Sequence, residues 1–330
     1  MYQQRIELYR QLERARGSRV LVYITGDRKD LETNIGSDAA QPIVHHLDRL
    51  GKVKLLSLVL YTRGGHTHSA RSIVKLLRQF CHELEVIVPS KAHSAGTLMC
   101  LAANRIIMTK QATLGPIDPR VNLPINPPVP GAPPQVRFAV SVEDVNGYIE
   151  FAKSVLEDPA HVREAFQGLC KEVHPLVLGC AYRARNQIRM VAKKLMAHQA
   201  LDADKVERIL GFLCSESGSH DYTIDRDEAR DELGLAIEQP NDDEYRTIGE
   251  LFDDIVSELR LNEPYNPVTV LGTGASAAYL HTRALVESPE GGSHKFDSEG
   301  ELRKVSGAPP GQVAIEDRRS FEGWRLRNGT

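Results

Sequence analysis

Two short segments carry the residue types that acyl-transfer chemistry needs. The first is Leu58-Val59-Leu60-Tyr61-Thr62-Arg63-Gly64-Gly65, an apolar run that ends in two glycines. Backbone without a Cβ can turn sharply and approach a ligand, and its N–H groups can face a developing negative charge. The second is Val88-Pro89-Ser90-Lys91-Ala92-His93-Ser94-Ala95-Gly96-Thr97, where a strand-like run passes through small residues into an apolar helix. Ser94 opens that helix, beside N–H groups that have no acceptor inside it. Each segment also has an ordinary reading: a tight turn for the glycines, an N-cap for the serine. Together they supply a nucleophile and two backbone donors. Gly64 or Gly65 gives one N–H, and Ala95 the other.

The surrounding pattern places these segments. Val20 to Ile24, Leu55 to Tyr61, Leu84 to Pro89 and Arg105 to Met108 read as buried strands. Helical spacing over residues 37–51, 68–80 and 94–103 alternates with them. Such alternation implies an α/β layer with a mainly parallel sheet and right-handed crossovers. Gly64-Gly65 and Ser94 then fall at one edge of the sheet, outside the carboxyl ends of neighbouring strands, where open α/β sheets bind ligands. An amphipathic helix precedes the first strand, over residues 2–16. The stretch 121–136 is proline-rich and uncharged, so it reads as a long irregular loop. Helices are expected over about 141–156, 174–199, 203–214 and 243–260. The reading divides the chain into an α/β core at 1–160, a helical extension at 161–285 serving oligomerisation, and a polar tail at 286–330.

Composition narrows the classes. The chain has 330 residues, 41% hydrophobic and 26% charged, with a net charge of −3. That is ordinary for a soluble globular protein and gives no basic face for nucleic acid. Its five cysteines lack C-x-x-C spacing, which fits free thiols in a reducing compartment and no zinc ribbon. No apolar stretch approaches membrane-spanning length, and the polar N-terminus is unlike a signal peptide. Gly272-Thr273-Gly274 is too short for a dinucleotide fingerprint. The expectation is a cytoplasmic protein with no cofactor, no metal, no nucleic-acid partner and no membrane partner.

The run from about Val20 to Pro119 resembles the ClpP/crotonase superfamily, and within it the serine dehydrogenase proteinase family, relatives of the signal peptide peptidases. The matching pieces are Leu60 to Gly65, Ala92-His93-Ser94-Ala95-Gly96-Thr97, Ala102 to Met108 and Leu114-Gly115-Pro116-Ile117-Asp118-Pro119. Weaker likeness extends through His174 to Gly179 and Ser219 to Tyr222. The resemblance implies a ClpP/crotonase-like α/β fold. It also implies a serine peptidase acting on peptide or protein substrates, with Ser94 as nucleophile, an oxyanion hole from Gly64/Gly65 and Ala95, and self-association into rings or smaller oligomers.

The proton acceptor departs from both family patterns. ClpP carries a histidine after the nucleophile helix, where this chain reads Gly115-Pro116-Ile117-Asp118-Pro119. Signal peptide peptidases use a lysine in the first turn after the long loop, where this chain reads Ser141-Val142-Glu143-Asp144. The candidates are Lys153 further along that helix, His174 at a helix start, and His66 directly after the glycines, which could equally line the substrate site. His93 is expected to point away from Ser94. Two other functions stay open: a crotonase-like acyl-CoA enzyme that keeps only the oxyanion hole, and a non-catalytic scaffold or binding subunit.

Overall fold

In the computed structural model, residues 2–156, 158–199, 201–216, 219, 221–305 and 314–327 are described. In chain order the first elements are α1 (Tyr2–Arg16), β1 (Arg19–Thr25), α2 (Ala40–Leu50), β2 (Val53–Tyr61) and α3 (Thr67–Phe80). Next come β3 (Cys81–Val88), β4 (Lys91–Ala92), α4 (Ala95–Leu101), β5 (Arg105–Met108) and β6 (Thr113–Leu114). The middle of the chain holds β7 (Arg120–Val121), β8 (Val140–Ser141), α5 (Val142–Val155), α6 (Pro159–Glu172), α7 (Pro175–Leu195) and α8 (Ala203–Gly211). The last elements are β9 (Ile237–Glu238), α9 (Asp242–Leu259), α10 (Pro267–Leu271), β10 (Ser276–Ser288), β11 (Gly292–Val305) and β12 (Ala314–Arg327).

The chain divides into two compact units. The first joins residues 1–114 to 224–330, and the second is 115–223. In the first unit, eight strands form one sheet in the order β12-β11-β10-β1-β2-β3-β5-β9. β1, β2, β3, β5 and β9 run parallel, as the strand–helix alternation requires. β10 pairs antiparallel with β1, with Val22 opposite Glu287, and β11 and β12 continue as a meander. Four of the seven pairings in this sheet are thus parallel, as the alternation predicts, and β10–β12 add an antiparallel extension.

Strand alternation divides the core between the two faces. Val20, Val22, Ile24, Val59, Ile87 and Ile107 meet α1 and α9 through Leu12, Ile248, Leu251 and Ile255. The intervening Leu21, Leu58 and Leu60 are equally buried on the other side. Each such Leu or Ile contributes roughly 1.5–3 kcal/mol relative to exposure. α9 starts on a capping box, in which Asn241 accepts from the Asp243 and Glu244 N–H groups while the Glu244 carboxylate accepts from the Asn241 N–H.

Residues 286–288, 292–305 and 314–327 are not a polar tail; they belong to the strands β10, β11 and β12. They are polar because ion pairs stud β11 and β12, as between Arg327 and Asp297 and between Arg325 and Glu299. In the second unit the proline-rich stretch is irregular, and Asn126 ties it together by donating to the Val121 and Phe138 carbonyls. α5 and α7 lie where the spacing put them, and α6 is a helix additional to those expected.

Candidate active site

The site is built from the carboxyl ends of β1 and β2 and the short β4. The Thr62 N–H donates to the Lys91 carbonyl at 3.1 Å, and the His93 N–H donates to the Thr62 carbonyl at 3.1 Å. These two bonds straddle Ala92 and hold the segment that leads into Ser94. The Thr25 hydroxyl donates to Thr62 Oγ1 at 2.6 Å, and Thr62 Oγ1 accepts the Gly64 N–H at 2.9 Å. The Gly64 amide is thereby engaged. The amides of Gly65 and Ala95 have no acceptor among the described residues.

Ser94 sits at φ 53°, ψ −114°, one of three non-glycine residues with positive φ among the described residues. Such a conformation costs on the order of 1–3 kcal/mol and persists only where its surroundings enforce it. The strain does not serve helix capping, because the Ser94 side chain makes no hydrogen bond to α4. Its hydroxyl has no partner among the described residues, and the residue is half-buried. Gly64, at φ +117°, packs directly beside it: a Cβ there would lie 2.8 Å from Ser94 Cβ and 3.3 Å from the Ala95 nitrogen. Gly65, at φ +146°, is exposed, and a Cβ on it would meet the Ile35 nitrogen at 2.4 Å. Ile35 grips this turn by donating to the Gly64 carbonyl and accepting from the His66 N–H.

The structure thus brings Ser94, Ala95, Gly64, Gly65 and His66 together in one unit. His66 is exposed at the N-cap of α3. His93 points its Nε2 at Thr113 Oγ1, 2.9 Å away. Lys153 and His174 belong to the second unit. Lys153 is exposed and ion-paired with Glu150 at 2.8 Å. His174 caps α7, its Nδ1 accepting the Leu176 N–H at 3.1 Å. That unit also holds a cavity of about 330 Å³ lined by Asp118, Arg120, Glu143, Asp144 and Glu150.

Sequence reasoning missed two supports. Thr62 stands two residues before Gly64, and a threonine at that spacing can bond the backbone ahead of it, which is the signal that could have found it. The second is Asp27, which accepts from the Tyr61 hydroxyl at 2.6 Å and from Lys91 Nζ at 2.9 Å, tying β1, β2 and β4 at the same edge. Burial, then the hydrogen bond to Asp27 and its charge, raise the Tyr61 pKa, so the phenol stays a donor. Among the described residues, no group of three or more His, Cys, Asp or Glu side chains is arranged to hold a metal, and no helix is long and apolar enough to cross a membrane.

Comparison with known proteins agrees with the motifs. Residues 1–130 match the family model described as ClpP-like SDH-type serine proteinase. An uncharacterized protein of Methanocaldococcus jannaschii is 27% identical over 261 residues, spanning 77% of this chain and 80% of that protein. A second uncharacterized protein of the same organism is 30% identical over 125 residues, or 36% of this chain and 42% of that one. Among solved structures, a mutant of the 1510-N membrane-bound stomatin-specific protease aligns with 14% identity and a TM-score of 0.39, covering 68% of this chain and 82% of that one. A ClpP1 mutant from Listeria monocytogenes aligns with 12% identity and a TM-score of 0.35, covering 70% of this chain and 98% of that one.

Proposed function

We propose that this chain, whose residues 1–130 match the ClpP-like SDH-type serine proteinase family, is a serine peptidase with Ser94 as its nucleophile. The observation that carries the reading is the strained, non-capping Ser94 set against Gly64, with two amides nearby that have no acceptor. Ser94 Oγ attacks the carbonyl carbon of a peptide bond and gives up its proton to a base. The carbonyl oxygen takes the negative charge and accepts from the Gly65 and Ala95 N–H groups. Of the two glycines, Gly65 fits the donor role, because the Gly64 amide already donates to Thr62. Collapse expels the amine, which takes the proton, and water then hydrolyses the acyl-enzyme. His66, His174 and Lys153 are the candidates for the base. The five free thiols support a reducing, cytoplasmic setting.

A fluorophosphonate probe tests the assignment. Labelling of the wild-type chain that disappears in Ser94→Ala supports it, and labelling that survives the substitution removes it. One observation favours a second reading, a non-catalytic scaffold: no histidine or lysine hydrogen-bonds Ser94 Oγ among the described residues. Catalytic hydrogen bonds often tighten only when substrate binds, so the peptidase reading stands ahead. A wild-type chain inert to the probe and to peptide substrates would reverse that order.

A further inference from the structure

The sheet of the first unit has a long open edge. β12 ends the strand order, and among the described residues nothing pairs with its outer side. An open edge is a template for another strand. We propose that β12 pairs antiparallel with β12 of a second copy of this chain. The twofold axis passes between Ser320 and Phe321, so that two sheets become one.

A bulge makes this register possible. β12 pairs with β11 one-to-one from Arg327, opposite Ser293, to Phe321, opposite Glu299. Ser320 is then passed over and Arg319 faces Gly300. Side-chain alternation shifts at that point. Glu316, Arg318, Phe321, Gly323 and Arg325 therefore share one face, and Ile315, Asp317, Arg319, Glu322, Trp324 and Leu326 share the other. The contacts agree: Arg325 lies 3.4 Å over the Phe321 ring, and Arg319 pairs with Glu322. A twofold axis perpendicular to the sheet keeps every residue on its own face. In a regular strand, full overlap of Ala314–Arg327 with itself would oppose residues from different faces. The bulge removes that conflict.

In this register Ile315 lies opposite Leu326 of the second copy, Glu316 opposite its Arg325, and Arg319 opposite its Glu322. Symmetry makes each pair twice. Asp317 falls opposite Trp324 and Arg318 opposite Gly323, so no like charges meet. Charged edges ordinarily repel an added strand, but this edge is complementary to itself. Glu316, Arg319, Glu322 and Leu326 are exposed. The charges are also satisfied within the chain, Glu316 by Arg318 and Arg325 by Glu299, so pairing extends an existing network and strands no charge.

Sedimentation velocity on the full chain over a concentration series tests this independently of Ser94. The wild type is expected to form an even-numbered assembly that added salt weakens. Arg325→Glu sets like charges across both ends of the seam and is expected to weaken association about tenfold. Glu316→Arg combined with Arg325→Glu is expected to restore it. A monomeric wild type, an Arg325→Glu variant that associates normally, or a charge swap that fails to restore association each overturns the proposal. Thermal unfolding checks that the variants fold. If Arg325→Glu does not fold, Glu316→Arg alone gives the same comparison. Fluorophosphonate labelling is unaffected by these outcomes, so failure here leaves the peptidase reading standing.

Discussion

Gly64 lies against Ser94 so closely that a methyl group on Gly64 would sit 2.8 Å from Ser94 Cβ and 3.0 Å from the His93 carbonyl oxygen. Gly64 also holds φ at +117°, which L side chains rarely adopt. Gly64→Ala is therefore expected to push the Ser94 turn out of place and to destabilise the fold by about 1–3 kcal/mol. Loss of fluorophosphonate labelling with a lowered melting temperature would bear this out. Wild-type labelling and melting would contradict it.

Thr62 divides the work of the two glycines by occupying the Gly64 amide. Thr62→Val keeps the β-branched shape and removes the oxygen. The buried Gly64 N–H and the Thr25 hydroxyl then lose their partner, at a cost of about 1–3 kcal/mol. Slower labelling of Ser94 is expected in this variant, and recovery in Thr62→Ser, which keeps the hydroxyl. Equal rates in all three proteins would show that the threonine does not position the turn.

Much of this site was legible in the sequence because it rests on backbone. Strand, glycine pair, strand and small-residue turn are local patterns, and they put Gly64, Gly65, Ala95 and Ser94 at one sheet edge. What stayed hidden depends on side chains that meet across the fold. Nothing in the spacing ties Asp27 to Lys91, 64 residues away, or Thr25 to Thr62. The strands β10–β12 were hidden for a different reason. Their apolar alternation is broken by Arg–Glu and Arg–Asp pairs and by a bulge, so polarity masqueraded as a tail. α6 was readable: Val162, Ala165, Phe166 and Leu169 recur at helical spacing, and Asp158 before Pro159 marks its start, but the spacing there was passed over.

His174 can be tested as a cap and as a base separately. Its Nδ1 accepts the Leu176 N–H at the start of α7. Asparagine caps helices well and alanine poorly. His174→Asn is thus expected to keep the stability of the wild type, and His174→Ala to lose about 1 kcal/mol. If His174 also takes the Ser94 proton, both variants lose labelling while only one loses stability. Melting curves in which asparagine and alanine behave alike would refute the capping role.

The histidine cluster between α2 and the β10–β11 turn makes stability depend on pH. The Gly291 N–H donates to Ser288 Oγ, which leaves the hydroxyl hydrogen for His46 Nδ1 at 2.7 Å. The ring hydrogen of His46 then sits on Nε2, 3.0 Å from His294 Nδ1. Burial, then the neighbouring charges of His294 and His45, lower the His46 pKa to about 3. Burial and His45 lower that of His294 to about 4. In the unfolded chain both titrate near 6.5. The stabilisation is therefore complete above about pH 6.5. It is lost progressively as pH falls toward the folded values, because the unfolded chain takes up protons that the folded one refuses. The slope approaches about 1.4 kcal/mol per pH unit for each histidine. Glu85 and Glu258 are also buried, a cost that their arginine partners and Lys295 outweigh, so their pKa values are lowered and their contribution is lost only below about pH 4.5. The interval from pH 7 to pH 5 thus isolates the histidines. Chemical unfolding at these two pH values is expected to show a clear drop for the wild type and a flatter response for His46→Leu. The same drop in both proteins would place the pH dependence elsewhere.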